Sequence, residues 1–281
     1  MRYLATATYQ CLGSNWATSR GGVDCAMDSA STIRHAVRGV NELRQAAYEQ
    51  PQLGQAIRAV KRFQQDRFSG TYVDLAQDPR YRAATQFFLS ELYGDTDFIE
   101  RDAQFSRVAG VVLRILPAAA VDTAVALARL HGLSEQLDQD MGRSWLAANP
   151  SDIANRSKQY IRAWRMTKRA DLRGKQLELV LDIGAELALL TRKPGLRSML
   201  RAMRGPANIA GLSALQQFLE TGFHAFSSLA QVDPGAKGFL KQIQQRESRL
   251  MTALFDETSD GGLELLDAAL ANSLVVKGKV T

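Results

Sequence analysis

Seven prolines, at 51, 79, 117, 150, 194, 206 and 234, each stand at the edge of a segment whose apolar residues recur at helical spacing. Proline is tolerated in the first turn of a helix and stops one elsewhere, so this punctuation divides the chain into helices of ordinary length. The spacing predicts helices over about 31–50, 51–69, 79–93, 97–116, 118–147, 151–174, 175–192, 195–204, 212–231 and 236–257. No run alternates apolar and polar residues over five positions with β-branched enrichment, which removes the strand signal. The fold class that follows is all-α, a multi-helix bundle of about eight to ten helices.

The ends read differently from the body. Residues 1–26 are polar and rich in small residues, and hold both cysteines, Cys11 and Cys25. They lack the basic-then-apolar order of a secretory leader, so the expected compartment is the cytoplasm. They read as a disordered tail or a mis-assigned start, with Met27 as the true first residue and 27–258 as the helical domain. That body carries no cysteine, so neither a disulfide framework nor a thiolate metal site is available to it. Ser259-Asp260-Gly261-Gly262 reads as a linker, followed by a short amphipathic piece around Leu263 to Leu270 and a frayed end over 275–281, so that 259–281 is expected as a flexible C-terminal segment. No membrane span is expected, because the greasiest stretch, Leu177 to Leu190, is interrupted by Glu178, Asp182 and Glu186.

A search for catalytic patterns finds no phosphate-binding loop, no dinucleotide glycine fingerprint, no nucleophile elbow and no paired-histidine zinc motif. Three histidines leave few places for metal chemistry, and no metal site is assigned. His131 stands beside the stripe Leu127, Leu130, Leu137 and Met141, with Glu135 one turn on and Asp138 two turns on. That spacing brings an imidazole and two carboxylates to one flank, an arrangement that suits a tuned base; a boundary histidine bonded within its own helix is the plainer reading. An enzyme built on His131 with Glu135 or Asp138, in a haem oxygenase-like or related helical fold, is therefore one alternative. His224 falls opposite its helix's apolar stripe and beside Glu220, as a solvent-facing pair, and His35 sits between Arg34 and Arg38. A haem iron could take any one of the three as an axial ligand, and the cofactor, if any, stays unknown.

The formal charge is +6, but it is unevenly spread. Between Asn155 and Arg204 stand 13 Lys or Arg against four acids, a surplus larger than that of the whole chain, so the remainder is mildly acidic. Lys158, Arg162, Arg165 and Arg169 recur as one helical stripe beside Tyr160, Ile161 and Trp164, and Arg197, Arg201 and Arg204 repeat the pattern later. Arginine on such a face suits carboxylates, phosphates or an acidic protein partner; the competing reading is a solvated face partly neutralised by Glu178, Asp182 and Glu186. Nucleic acid is an unlikely partner, since no helix-turn-helix spacing, zinc finger or aromatic RNA-binding signature accompanies the charge.

Arg80-Tyr81-Arg82 and Phe87-Phe88-Leu89-Ser90-Glu91-Leu92-Tyr93-Gly94, with Asp97-Phe98 and Arg101-Asp102 after them, form an FFLxxLYG, DF, RD pattern. Together with Leu130-His131-Gly132-Leu133-Ser134, Gly222-Phe223, Phe226 and Arg246-Glu247, it resembles a family of uncharacterised proteobacterial helical proteins. The resemblance spans roughly residues 55–255 and implies a helical fold without a mechanism. Within the pattern Tyr93 is the member suited to face a ligand. The first functional expectation is a helical protein that binds a partly apolar anionic molecule through Tyr93, His131, Lys158, Arg162, Arg165, Arg169, Arg197 and Arg201. A third alternative is a protein-interaction or regulatory module docking through its basic face.

Overall fold

The computed structural model describes residues 28–92, 103–104, 118–148 and 155–278. Among them are twelve α-helices and no strand: α1 (Ser29–Glu49), α2 (Pro51–Thr71), α3 (Val73–Gln77), α4 (Arg82–Phe87), α5 (Ala118–Ala147), α6 (Arg156–Thr167), α7 (Ala170–Leu190), α8 (Leu196–Ala202), α9 (Arg204–Ile209), α10 (Ser213–Leu229), α11 (Gly235–Phe255) and α12 (Gly261–Gly278). Three of these, α3, α4 and α9, have only five or six residues, and α4 runs on as a π-helix over Phe88–Leu92. The expectations for residues 1–26, for Tyr93 and for the helix over 97–116 lie outside the described residues, apart from Ala103 and Gln104, which are helical.

Local chemistry explains most boundaries. Asp28 accepts the Ser31 N–H at 2.6 Å and Asn155 accepts that of Lys158 at 3.0 Å, each side chain satisfying an otherwise orphaned first-turn donor. Pro51 opens α2. The break after α6 falls at Lys168, in the left-handed region at φ 53°, and not at Gly174, which stays inside α7. The boundary expected between 174 and 175 thus lies about one and a half turns earlier, and residues 170–174 belong to α7.

The described residues form two large apolar clusters, besides a small one of Ile33 and Ala128 between α1 and α5. One gathers Phe68, Tyr72, Phe87, Phe88, Leu130, Ile183, Phe226 and Phe239; the other gathers Val60, Phe63, Met141, Tyr160, Trp164, Leu250, Leu254 and Leu266. Helices α2, α5 and α11 contribute to both, and along each of them a charged residue falls between the two sets. Arg67 stands between Phe63 and Phe68, Glu135 and Asp138 between Leu130 and Met141, and Glu247 between Ile243 and Leu250. A polar layer therefore separates two cores.

At the C-terminal end Gly261 and Gly262 open α12, which takes in the piece around 263–270, and the Leu263 and Glu264 N–H groups donate to the Asp260 carbonyl. Its Leu266, Ala269 and Ser273 are buried. The helix packs against α2, α6 and α11, and the Ser157 hydroxyl donates to Asp267. Among the described residues no helix is long and apolar enough to cross a membrane.

Candidate functional site

The first apolar cluster opens to the surface in a groove between α4 and its π-helical extension, α5, α7 and α10. Its walls include Phe87, Phe88, Leu130, Ile183, Phe218 and Phe223. Its volume is about 470 Å³, including space open to solvent. The π-helical turn starts at the wall residue Phe88, and such turns recur at functional positions because they re-aim side chains within a helix. Gly222 permits the close approach of α4 to α10: a Cβ there would stand 3.0 Å from the Phe87 ring.

A cation stands at one edge of this groove. The Arg197 guanidinium lies 5.7 Å from the centroid of Phe223, a wall residue, and donates to Ser227 at 3.2 Å. Arg197 and Arg201 are both exposed on α8, which packs against α9 and α10. Residues on which the family resemblance rests, Phe87, Phe88, Leu130, Gly222, Phe223 and Phe226, come from three separate segments and meet at this groove.

The earlier stripe is placed elsewhere and is partly consumed. Helix α6 lies against α5, α11 and α12. Lys158 and Arg162 are exposed there. Arg165 is half-buried and donates to the Leu254 carbonyl at 2.9 Å and to that of Asp256, so it caps the end of α11. Arg169 lies beyond the left-handed turn at Lys168 and reaches Asp140 at 3.3 Å. The four residues do not form one continuous helical stripe, and two of them act as struts. Glu178, Asp182 and Glu186 are exposed, and among the described residues none of the three pairs with an arginine of α6 or α8. They do not neutralise those faces by direct contact.

His131 is half-buried, follows the groove-wall residue Leu130 and stands one turn before Glu135 on α5. Both carboxylates near it are held by cations from other helices. Glu135 accepts from Lys61 at 2.9 and 3.0 Å and from Arg44 at 3.2 Å, and Asp138 lies 3.8 Å from Lys61. Burial pushes Glu135 up, yet Lys61 and Arg44 outweigh it and hold the carboxyl below its ordinary value. Burial dominates at Asp138 and leaves it above its ordinary value despite Lys61 and Arg173. The two acids are thus parts of the polar layer. His224 and His35 are exposed. Glu220, the expected partner of His224, takes Arg204 and Gln216 instead. Among the described residues no group of three or more His, Cys, Asp and Glu is placed to hold a metal ion.

Sequence reasoning missed the rest of the polar layer. Arg67 is 4% exposed and donates to Glu247 at 2.6 Å, and the Tyr72 hydroxyl donates to the same oxygen at 2.6 Å. The available signal was Arg67 itself, one turn after Phe63 on the apolar stripe of α2, where a charge requires a buried partner.

Fold and groove together define an all-α protein with an open apolar recess edged by arginine. The chain belongs to the family described as a domain of unknown function, DUF8198, which matches residues 43–261 and so takes in the groove and the polar layer. No curated protein and no solved structure matches it.

Proposed function

We propose that the chain binds a partly apolar anionic small molecule, with the apolar part in the groove between α4, α5, α7 and α10 and the anionic group at Arg197. The supporting observation is the position of Arg197 over Phe223, the place where the basic region meets an apolar recess. An apolar wall supplies area-dependent affinity, and an exposed guanidinium selects carboxylate or phosphate over a neutral head group. The groove is narrow and open, so the ligand is a chain or ring lying along it. His131 follows the wall residue Leu130 and is carried as a further candidate contact. Lys158, Arg162, Arg165 and Arg169 are not part of the proposed site.

Calorimetric titration with dodecanoate, and with dodecanol as the uncharged control, tests this. Dodecanoate binds more tightly than the alcohol, and Arg197→Glu lowers its affinity by roughly tenfold or more, the worth of one charge-assisted contact. Equal binding of acid and alcohol, or an unchanged affinity in Arg197→Glu, contradicts it.

A further inference from the structure

Between the long helices α7 and α10 the chain makes a protrusion that the core barely holds. From Arg192 to Gly211 only Leu200 and Ala207 are buried. Leu200 is fixed through its carbonyl, which accepts from Gln216 at 2.7 Å. Gly195, in the left-handed region at φ 83°, turns the chain into α8 after Pro194. The remaining side chains of α8 and α9 face outward or lie at the boundary.

The composition of this segment is one-sided. Residues 187–219 contain Arg192, Lys193, Arg197, Arg201 and Arg204 and no acid. Arg204 is exposed and paired with Glu220, which the Arg201 charge also reaches, and Arg192, Lys193, Arg197 and Arg201 are exposed too. Two large apolar side chains accompany them in solvent: Leu189, 55% exposed on the last turn of α7, and Ile209, 92% exposed at the end of α9.

We infer that this protrusion is a docking surface for an anionic lipid bilayer. Four exposed cations with no intervening acid attract a negatively charged leaflet, and an unsheltered isoleucine and leucine gain by entering its acyl boundary. A polynucleotide would leave those apolar side chains without a partner and would favour exposed aromatic rings for stacking, and residues 192–211 contain no aromatic residue. Docking goes beyond the proposed groove ligand and stands whether or not one exists. The two are compatible, because Arg197 belongs to both and docking brings the groove mouth towards a source of apolar anions.

The test is sedimentation of the full chain with vesicles of phosphatidylcholine alone or doped with phosphatidylglycerol. The chain sediments with the doped vesicles only, and less so as salt is raised. A variant carrying Arg192→Glu, Lys193→Glu and Arg201→Glu, all exposed positions, keeps its melting temperature and binds roughly a hundredfold more weakly, at about fivefold per cation lost. In the Ile209→Trp variant the indole emission shifts to the blue on adding doped vesicles. Equal sedimentation with both vesicles, an unaffected triple variant or an unshifted indole overturns the inference. Capture by homopolymeric RNA in place of vesicles also overturns it and reassigns the patch. Dodecanoate titration in the absence of vesicles separates these results from the fate of the groove ligand.

Discussion

The Arg67 guanidinium and the Glu247 carboxylate meet at 2.6 Å although 180 residues separate them in sequence. The contact ties α2 to α11 at the level where the two apolar clusters part. Next to it Arg246 grips Asp74 at 2.7 and 2.6 Å and the Thr71 carbonyl at 2.7 Å, so two consecutive residues of α11 fix the turn between α2 and α3. Charges at this depth specify which helices meet and in what register, more than they add net stability.

Breaking one side of the pair strands a buried charge. Glu247→Ala is expected to cost about 3–5 kcal/mol in urea unfolding, whereas the Arg67→Met, Glu247→Leu double variant recovers most of that loss because neither charge remains. A double variant as unstable as the single one would contradict this role.

Gly70 is the contact point of α2 with α12. A Cβ there would stand 1.7 Å from the Ala269 carbonyl oxygen, a backbone atom that cannot rotate away. Gly70→Ala should therefore displace α12, costing about 1–3 kcal/mol. Hydrogen exchange over residues 261–278 should accelerate while α5 and α11 keep their protection.

Acid should loosen the tether between α9 and α10. The Arg204 side chain bonded to Glu220 holds that carboxyl down to about 2 from an ordinary value of 4.5. A lowered value means the contact contributes fully above about 4.5 and is lost as the pH falls towards about 2. Carbon-detected titration of Glu220 should place its midpoint near the lower figure, and Arg204→Ala should raise it. The stability effect is small, since the pair is largely in solvent.

Asp138 has the opposite sign. Burial raises it, so its ionised form costs stability that is recovered as the pH falls through the raised value, with recovery complete at the ordinary carboxylate value. Asp138→Asn should stabilise the protein at neutral pH and lose that advantage in acid, with Lys61 still held by Glu135. Denaturant midpoints at the two pH values check the crossover.

Much of the architecture was legible because prolines and periodic leucines report local conditions. Pro51 and Pro234 mark the starts of α2 and α11, and the apolar stripes of α5 and α10 mark their buried faces. Lys168 was not legible: a non-glycine residue in the left-handed region leaves no compositional trace, and the break it makes separates Arg169 from the helical stripe. Of α12 only the amphipathic piece around 263–270 was legible; its two opening glycines resemble a linker, and its seat against α2 depends on Gly70 receiving Ala269. Of the site, Arg197 could be proposed from its spacing, but its partner Phe223 depends on how α8 folds onto α10. Arg165 shows the converse, a basic residue whose role became structural once α11 ended beside it.

The most direct test of the central claim is methyl NMR of the protein titrated with dodecanoate. Binding in the groove predicts shifts at Leu127, Leu130, Ile183, Leu187 and Leu219, which line it, and little change at Val60, Leu250 or Leu266 in the second cluster. Shifts confined to the second cluster, or none at all at ligand concentrations below its micellar range, would contradict the account.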